Sequence, residues 1–174
     1  MQRREFIWLG CGTAVGVMSR ASVTSADEES QGYQPERFLQ NPIITPSMLG
    51  QAGDNINGPS LIKAPDWLRN KLGTYYLYFG HHRGRYIRLA YADDLRGPWK
   101  IYEPGVVHAQ HAGWNPDHVA SPEVLVDNER QEILLYFHAP VTAPPYTRQD
   151  TFLAISKLDF GQFRQPPGER YFAG

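Results

Sequence analysis

Two polar stretches carry side chains able to do chemistry, and each runs directly into apolar, strand-like sequence. The first is DNINGPS, Asp54 to Ser60. The second is HVASPE, His118 to Glu123. Each supplies one carboxylate, Asp54 and Glu123, a group that takes and gives protons as a general base or acid. Around them stand Asn55, Asn57, Ser60, His118 and Ser121. Amide, hydroxyl and neutral imidazole groups both donate and accept hydrogen bonds, which suits a hydroxyl-rich ligand. A third stretch, YYLYFGHHRGRYIR, adds His81, His82, Arg85 and Arg88, and His138 follows the similar run LLYF. Strand alternation would put His81 and His82 on opposite faces, so that at most one of them points inward. Arg88 and Arg85 are able to bind a carboxylate. Simpler roles compete: an Asx turn for Asp54 in its Gly-rich loop, a strand-end cap for the histidines, a solvated face for Arg88. The imidazoles of His81, His82, His118 and His138 lack the tight spacing of a metal-binding pair, so no metal site is expected.

The elements that must position these groups are short strands. SLIKAP, TYYLYFGHH, YIRLAYA and WKIYEPGVV follow one another, with RGR and DDLRGP as turn signals between the later members. In the second, Tyr75, Leu77 and Phe79 alternate with Tyr76, Tyr78 and Gly80. The pattern then restarts with ASPEVLVD, EILLYFH and TFLAISKL. Pro59 and Pro122 are 63 residues apart, Phe79 and Phe137 58, and Ala90 and Ala154 64. A repeat of roughly 60 residues built from four antiparallel strands is one blade of a β-propeller. The expected fold is therefore all-β: a partial five-bladed propeller with about two four-stranded antiparallel blades, near 58–107 and 118–165. The innermost strand of each blade lines a central channel, which would bring the two polar stretches together. Such units cover one another's apolar faces, so further blades or an oligomer partner would be needed for stability.

Composition agrees with this. The chain has 174 residues, 13% aromatic, with ten Tyr, fourteen Pro and sixteen Gly. That mixture favours strands and tight turns over long helices. A formal net charge of −1 gives no basis for a nucleic-acid or acidic-membrane partner. At the N-terminus, Arg3 and Arg4 precede a weakly apolar run from Phe6 to Met18 and then small residues to Ala26. Residues 1–26 are expected to be an export signal of the twin-arginine kind, directing a bacterial protein to the periplasm or beyond. The run falls short of the ~20 residues of a spanning helix, so no stable membrane insertion is expected after cleavage. Residues 27–40 read as a flexible leader and 41–174 as the propeller domain. The only cysteine, Cys11, lies inside the signal, leaving no disulfide or thiolate site.

NPIITP, NGPSLI, YYLYFGHH, RLAYADDLRGPW and ASPEVLVD resemble the five-bladed propellers of the glycoside hydrolase family 43 and 32 clan, most nearly an uncharacterised bacterial glycosyl hydrolase-like branch. The resemblance implies a protein that hydrolyses or binds poly- or oligosaccharide, with Asp54 and Glu123 as the candidate carboxylates. Inverting glycosidases hold such a pair about 6.5–9.5 Å apart. It implies no organic cofactor, though a divalent cation is sometimes held in the central channel of these propellers. The chain departs from the family pattern. The family's base, an Asp just before a Pro, is replaced by Gly58. Glu123 stands where an Asp tunes the acid, and the acid's own blade has no counterpart here. These departures point to a truncated propeller, or to a relative that binds carbohydrate without cleaving it.

Overall fold

A computed structural model describes residues 34–50, 53–111, 116–142, 144–145 and 147–164. The expected signal, 1–26, and the start of the expected leader lie outside them. Seven strands form: β1 (Asn57–Lys63), β2 (Tyr75–Gly80), β3 (Tyr86–Ala92), β4 (Lys100–His108), β5 (Ala120–Asp127), β6 (Glu132–Pro140) and β7 (Gln149–Lys157). They make two antiparallel sheets, β1-β2-β3-β4 and β5-β6-β7. The protein is all-β, and the second sheet has three strands among the described residues rather than four.

Local chemistry sets the turns. Between β2 and β3 the Gly84 N–H donates to His81 O at 2.9 Å, and Arg83 takes a left-handed conformation at φ +69°. Between β3 and β4 the Asp94 carboxylate accepts the Arg96 N–H at 2.7 Å, while the Trp99 indole donates to Leu95 O at 3.1 Å.

The repeat is geometric as well as sequential. Asn57 pairs with Gly80 and Ser60 with Tyr78; Ala120 pairs with His138 and Glu123 with Tyr136. In each sheet three steps along the first strand face two along the second, a β-bulge at the same place. The bulge residues Gly58 and Ser121 share a left-handed backbone, φ +53° and +52°. Leu77 faces Ala90 as Leu135 faces Ala154. The spacings of 63, 58 and 64 residues are thus the offsets between matching strands.

Alternation then divides the side chains between two cores. Ile62, Tyr76, Tyr78, Ile87 and Leu89 meet Val124, Leu135, Phe137, Phe152 and Ala154 between the sheets. Burying each large side chain contributes about 1.5–3 kcal/mol. Phe79, Ala90, Ala92 and Trp99, on the other face of the first sheet, pack under Ile44 and Leu49. Across the first core, Tyr78 Oη donates to Phe160 O at 3.0 Å, which satisfies a buried hydroxyl; burial pushes this phenol well above its ordinary value.

Candidate functional site

The first strands of the two sheets lie side by side. The Ser60 hydroxyl accepts the Val124 N–H at 3.0 Å. A Cβ on Gly58 would stand 3.0 Å from Ser121 Cα, and one on Gly80 3.4 Å from the Ser121 N. This close approach carries the polar ends of both strands to the same place. The β2–β3 loop closes over it: Gly84 O accepts the Val119 N–H at 2.9 Å and Arg85 donates to Asp117 O at 3.2 Å.

Several predicted residues meet there. Asp54 lies 3.6 Å from His81 Nε2, its carboxylate 96% exposed. Asn55 Oδ1 accepts the His82 N–H at 3.0 Å. Asn57 is half-buried opposite Gly80. His118 is partly buried, and its imidazole is held below the usual value, first by desolvation and then by the fields of His82 and Arg83, with Asp117 opposing. A half-buried His81, an exposed His82, His118 and Asp54 therefore form one polar cluster with Ser121 beside it. His81 and His82 fall in the turn after β2, so strand alternation does not govern them.

Three expectations need correction. Ser60 is 6% exposed and its hydroxyl is engaged on β5, so it ties the sheets together and does not face a ligand. Arg88 is 1% exposed; its guanidinium donates to Gly80 O at 2.6 Å and to Asn55 O and packs over the Phe79 ring. It positions the Asn55 loop from below and is out of reach of a substrate. His138 pairs with Ala120 as Gly80 pairs with Asn57, so its counterpart is Gly80 and not a histidine. Its exposed side chain sits on β6, one residue out of register with the imidazoles of the first sheet. Glu123 is exposed and matches Ser60, on β5 just beyond the bulge and two residues past Ser121.

Sequence reasoning passed over Arg83 and Asp117. The signal for both was their adjacency to His82 and His118. Among the described residues no group of three or more His, Cys, Asp or Glu side chains gathers to hold a metal ion. An open groove of about 550 Å³, lined by Arg37, Phe38, Asn41, Ile43, Ile56 and Leu77 among others, contains none of the predicted site residues.

No family model matches the sequence. An uncharacterized protein of Acanthamoeba polyphaga mimivirus is 34% identical over 145 residues, covering 72% of this chain. The chain spans 39% of that relative's length. Two solved structures are similar in fold. An exo-β-1,3-galactanase from Clostridium thermocellum superposes with a TM-score of 0.50 at 17% identity, over 66% of this chain and 24% of that one. An exo-β-1,3-galactanase from Phanerochaete chrysosporium, solved with β-1,3-galactotriose, gives 0.50 at 13% identity, over 65% and 26%. The class of fold follows: the chain is part of a β-propeller of the kind found in glycoside hydrolases.

Proposed function

We propose that this is a carbohydrate-active protein, glycoside hydrolase-like, that acts on or binds a poly- or oligosaccharide. The reading rests on one observation: the ends of β1 and β5, joined through Ser60 and Val124, gather Asp54, His81, His82 and His118 beside Asn55 and Asn57. Such a surface offers carboxylate, imidazole and amide groups to sugar hydroxyls. In the active form of this reading one carboxyl group protonates the leaving glycosidic oxygen and the other activates water; Asp54 and Glu123 are the candidates. The family 43 and 32 clan is the resemblance on which this reading draws. Residues 1–26 supply export to the periplasm or beyond, and 41–174 the propeller domain.

The test is reducing-sugar release by the full chain from β-1,3-galactan and a panel of plant polysaccharides. Asp54→Asn and Glu123→Gln are each expected to lower the rate by about 10²–10⁴-fold, the usual worth of a general acid or base. Unchanged release in a variant removes that residue from the mechanism.

A second reading, a binding protein without hydrolysis, is favoured by Gly58. Its left-handed backbone and the 3.0 Å approach of Ser121 Cα strain and crowd any side chain at the place where the family pattern has its carboxylate. Glycan affinity without any sugar release would establish it.

A further inference from the structure

The polar cluster sets two guanidinium groups, Arg83 and Arg85, beside two carboxylates, Asp54 and Asp117. The β2–β3 loop carries His81, His82, Arg83 and Arg85 within five residues. Asp54 is engaged by His81 at 3.6 Å. Arg85 is directed to the Asp117 carbonyl at 3.2 Å. Arg83 is exposed at the tip of the turn, and no ion pair holds it among the described residues. The groups facing His118 are His82 and Arg83, which disfavour its charge, and Asp117, which favours it.

Building on the carbohydrate reading above, we propose that the site selects a saccharide bearing a carboxylate, as a uronic acid does, with the Arg83 guanidinium as its anchor and the His82 and His118 imidazoles flanking it. A guanidinium presents a planar fork of donors that matches a carboxylate in bidentate fashion. A neutral sugar makes no comparable use of an exposed cation. The anchor passes from Arg88 to Arg83 because Arg88 is consumed by backbone carbonyls below the loop.

The test is calorimetric titration of the full chain with a galacturonate trisaccharide and, separately, with neutral β-1,3-galactotriose. NMR of the imidazole protons is recorded in parallel. Arg83→Gly is the informative variant, because glycine adopts φ +69° without strain and the turn is kept; Arg83→Lys keeps the charge but loses the fork. The acidic trisaccharide is expected to bind at least tenfold more tightly than the neutral one and to shift the His82 and His118 signals. Arg83→Gly should abolish the preference and Arg83→Lys should restore part of it. Equal binding of both sugars, or a preference untouched by Arg83→Gly, overturns the inference while leaving the carbohydrate reading intact. A short single-stranded oligonucleotide binding more tightly than either sugar overturns it as well, since the cluster would then be a general polyanion patch. No binding of any member of a broad glycan panel overturns both readings.

Discussion

At Gly58 the backbone decides what chemistry the position can carry. Its φ of +53° would cost a side-chain-bearing residue about 1–2 kcal/mol, and the atom a Cβ would crowd is backbone, Ser121 Cα, which cannot turn aside. Gly58→Asp, the substitution that would restore the family pattern, is therefore expected to lower stability by about 1–3 kcal/mol and to add no activity. Urea midpoints with sugar-release assays check both halves. Arg88 behaves as a structural residue too. Arg88→Met keeps much of the packing over Phe79 but removes the donors to Gly80 O and Asn55 O. An orphaned buried carbonyl costs about 1–3 kcal/mol, and the Asn55 loop that bonds His82 should loosen, visible as faster exchange of the His82 amide. His118 supplies a pH dependence. Its folded pKa lies below the ordinary 6.5, so the unfolded chain binds the proton first as pH falls. The stability it contributes is complete above about pH 6.5 and declines on acidification through that value. Wild type should lose more stability between pH 7.5 and 5.5 than His118→Gln; equal losses would remove this role. Of these features the sequence displayed the residue types and their adjacency. It did not display that Arg88 is buried, because a lone arginine between Ile87 and Leu89 has the same alternation whether its face meets solvent or a ring.

At the scale of elements, β1 and β5 are the same strand twice, and they differ in what lies against them. Ile62 and Leu125 hold matching positions two residues beyond Ser60 and Glu123. Ile62 is 8% exposed because the second sheet covers it; Leu125 is 48% exposed. Ile62→Ala should cost about 2–5 kcal/mol, transfer and cavity terms together, whereas Leu125→Ala should cost less than about 1 kcal/mol. Chemical denaturation of the two variants measures the difference, and similar losses would contradict the packing. The strands themselves were legible from their β-branched and aromatic runs and from the turn residues between them. Their pairing was legible too, since the offsets of 63, 58 and 64 residues are the bulge and hairpin registers of the sheets. What alternation could not reveal is the bulge at Gly58 and Ser121, which shifts the phase after Pro59 and turns Ser60 toward β5. The same shift operates in β5, so what separates the two matching positions is the neighbour: Ser60 meets the Val124 N–H of β5, and Glu123 is exposed.

Across the whole of residues 37–174, which cluster as one unit, the two sheets share a core and should unfold together. The shared piece is the segment after β7. Phe160 is 8% exposed and lies 5.7 Å from the Tyr76 ring and 5.3 Å, edge-on, from Tyr102, while its carbonyl accepts Tyr78 Oη. Leu158 O accepts the Arg69 N–H and the Trp67 indole donates to Asn128 Oδ1, so loops of each sheet also grip the other. Phe160 therefore belongs by sequence to the second sheet and by contact to the first. Phe160→Ala should cost about 3–5 kcal/mol, and the loss should be felt equally in both sheets. Trp99 reports on the first sheet, from the core beneath Ile44 and Leu49. Amide exchange at Leu135 and Phe137, in the middle of β6, reports on the second. One shared midpoint in wild type, displaced by the same amount for both probes in Phe160→Ala, is the expected result. Separate midpoints would mean that each sheet is stable without its neighbour. The apposition of β1 and β5, on which the polar cluster depends, would then be a loose contact instead of a consequence of folding.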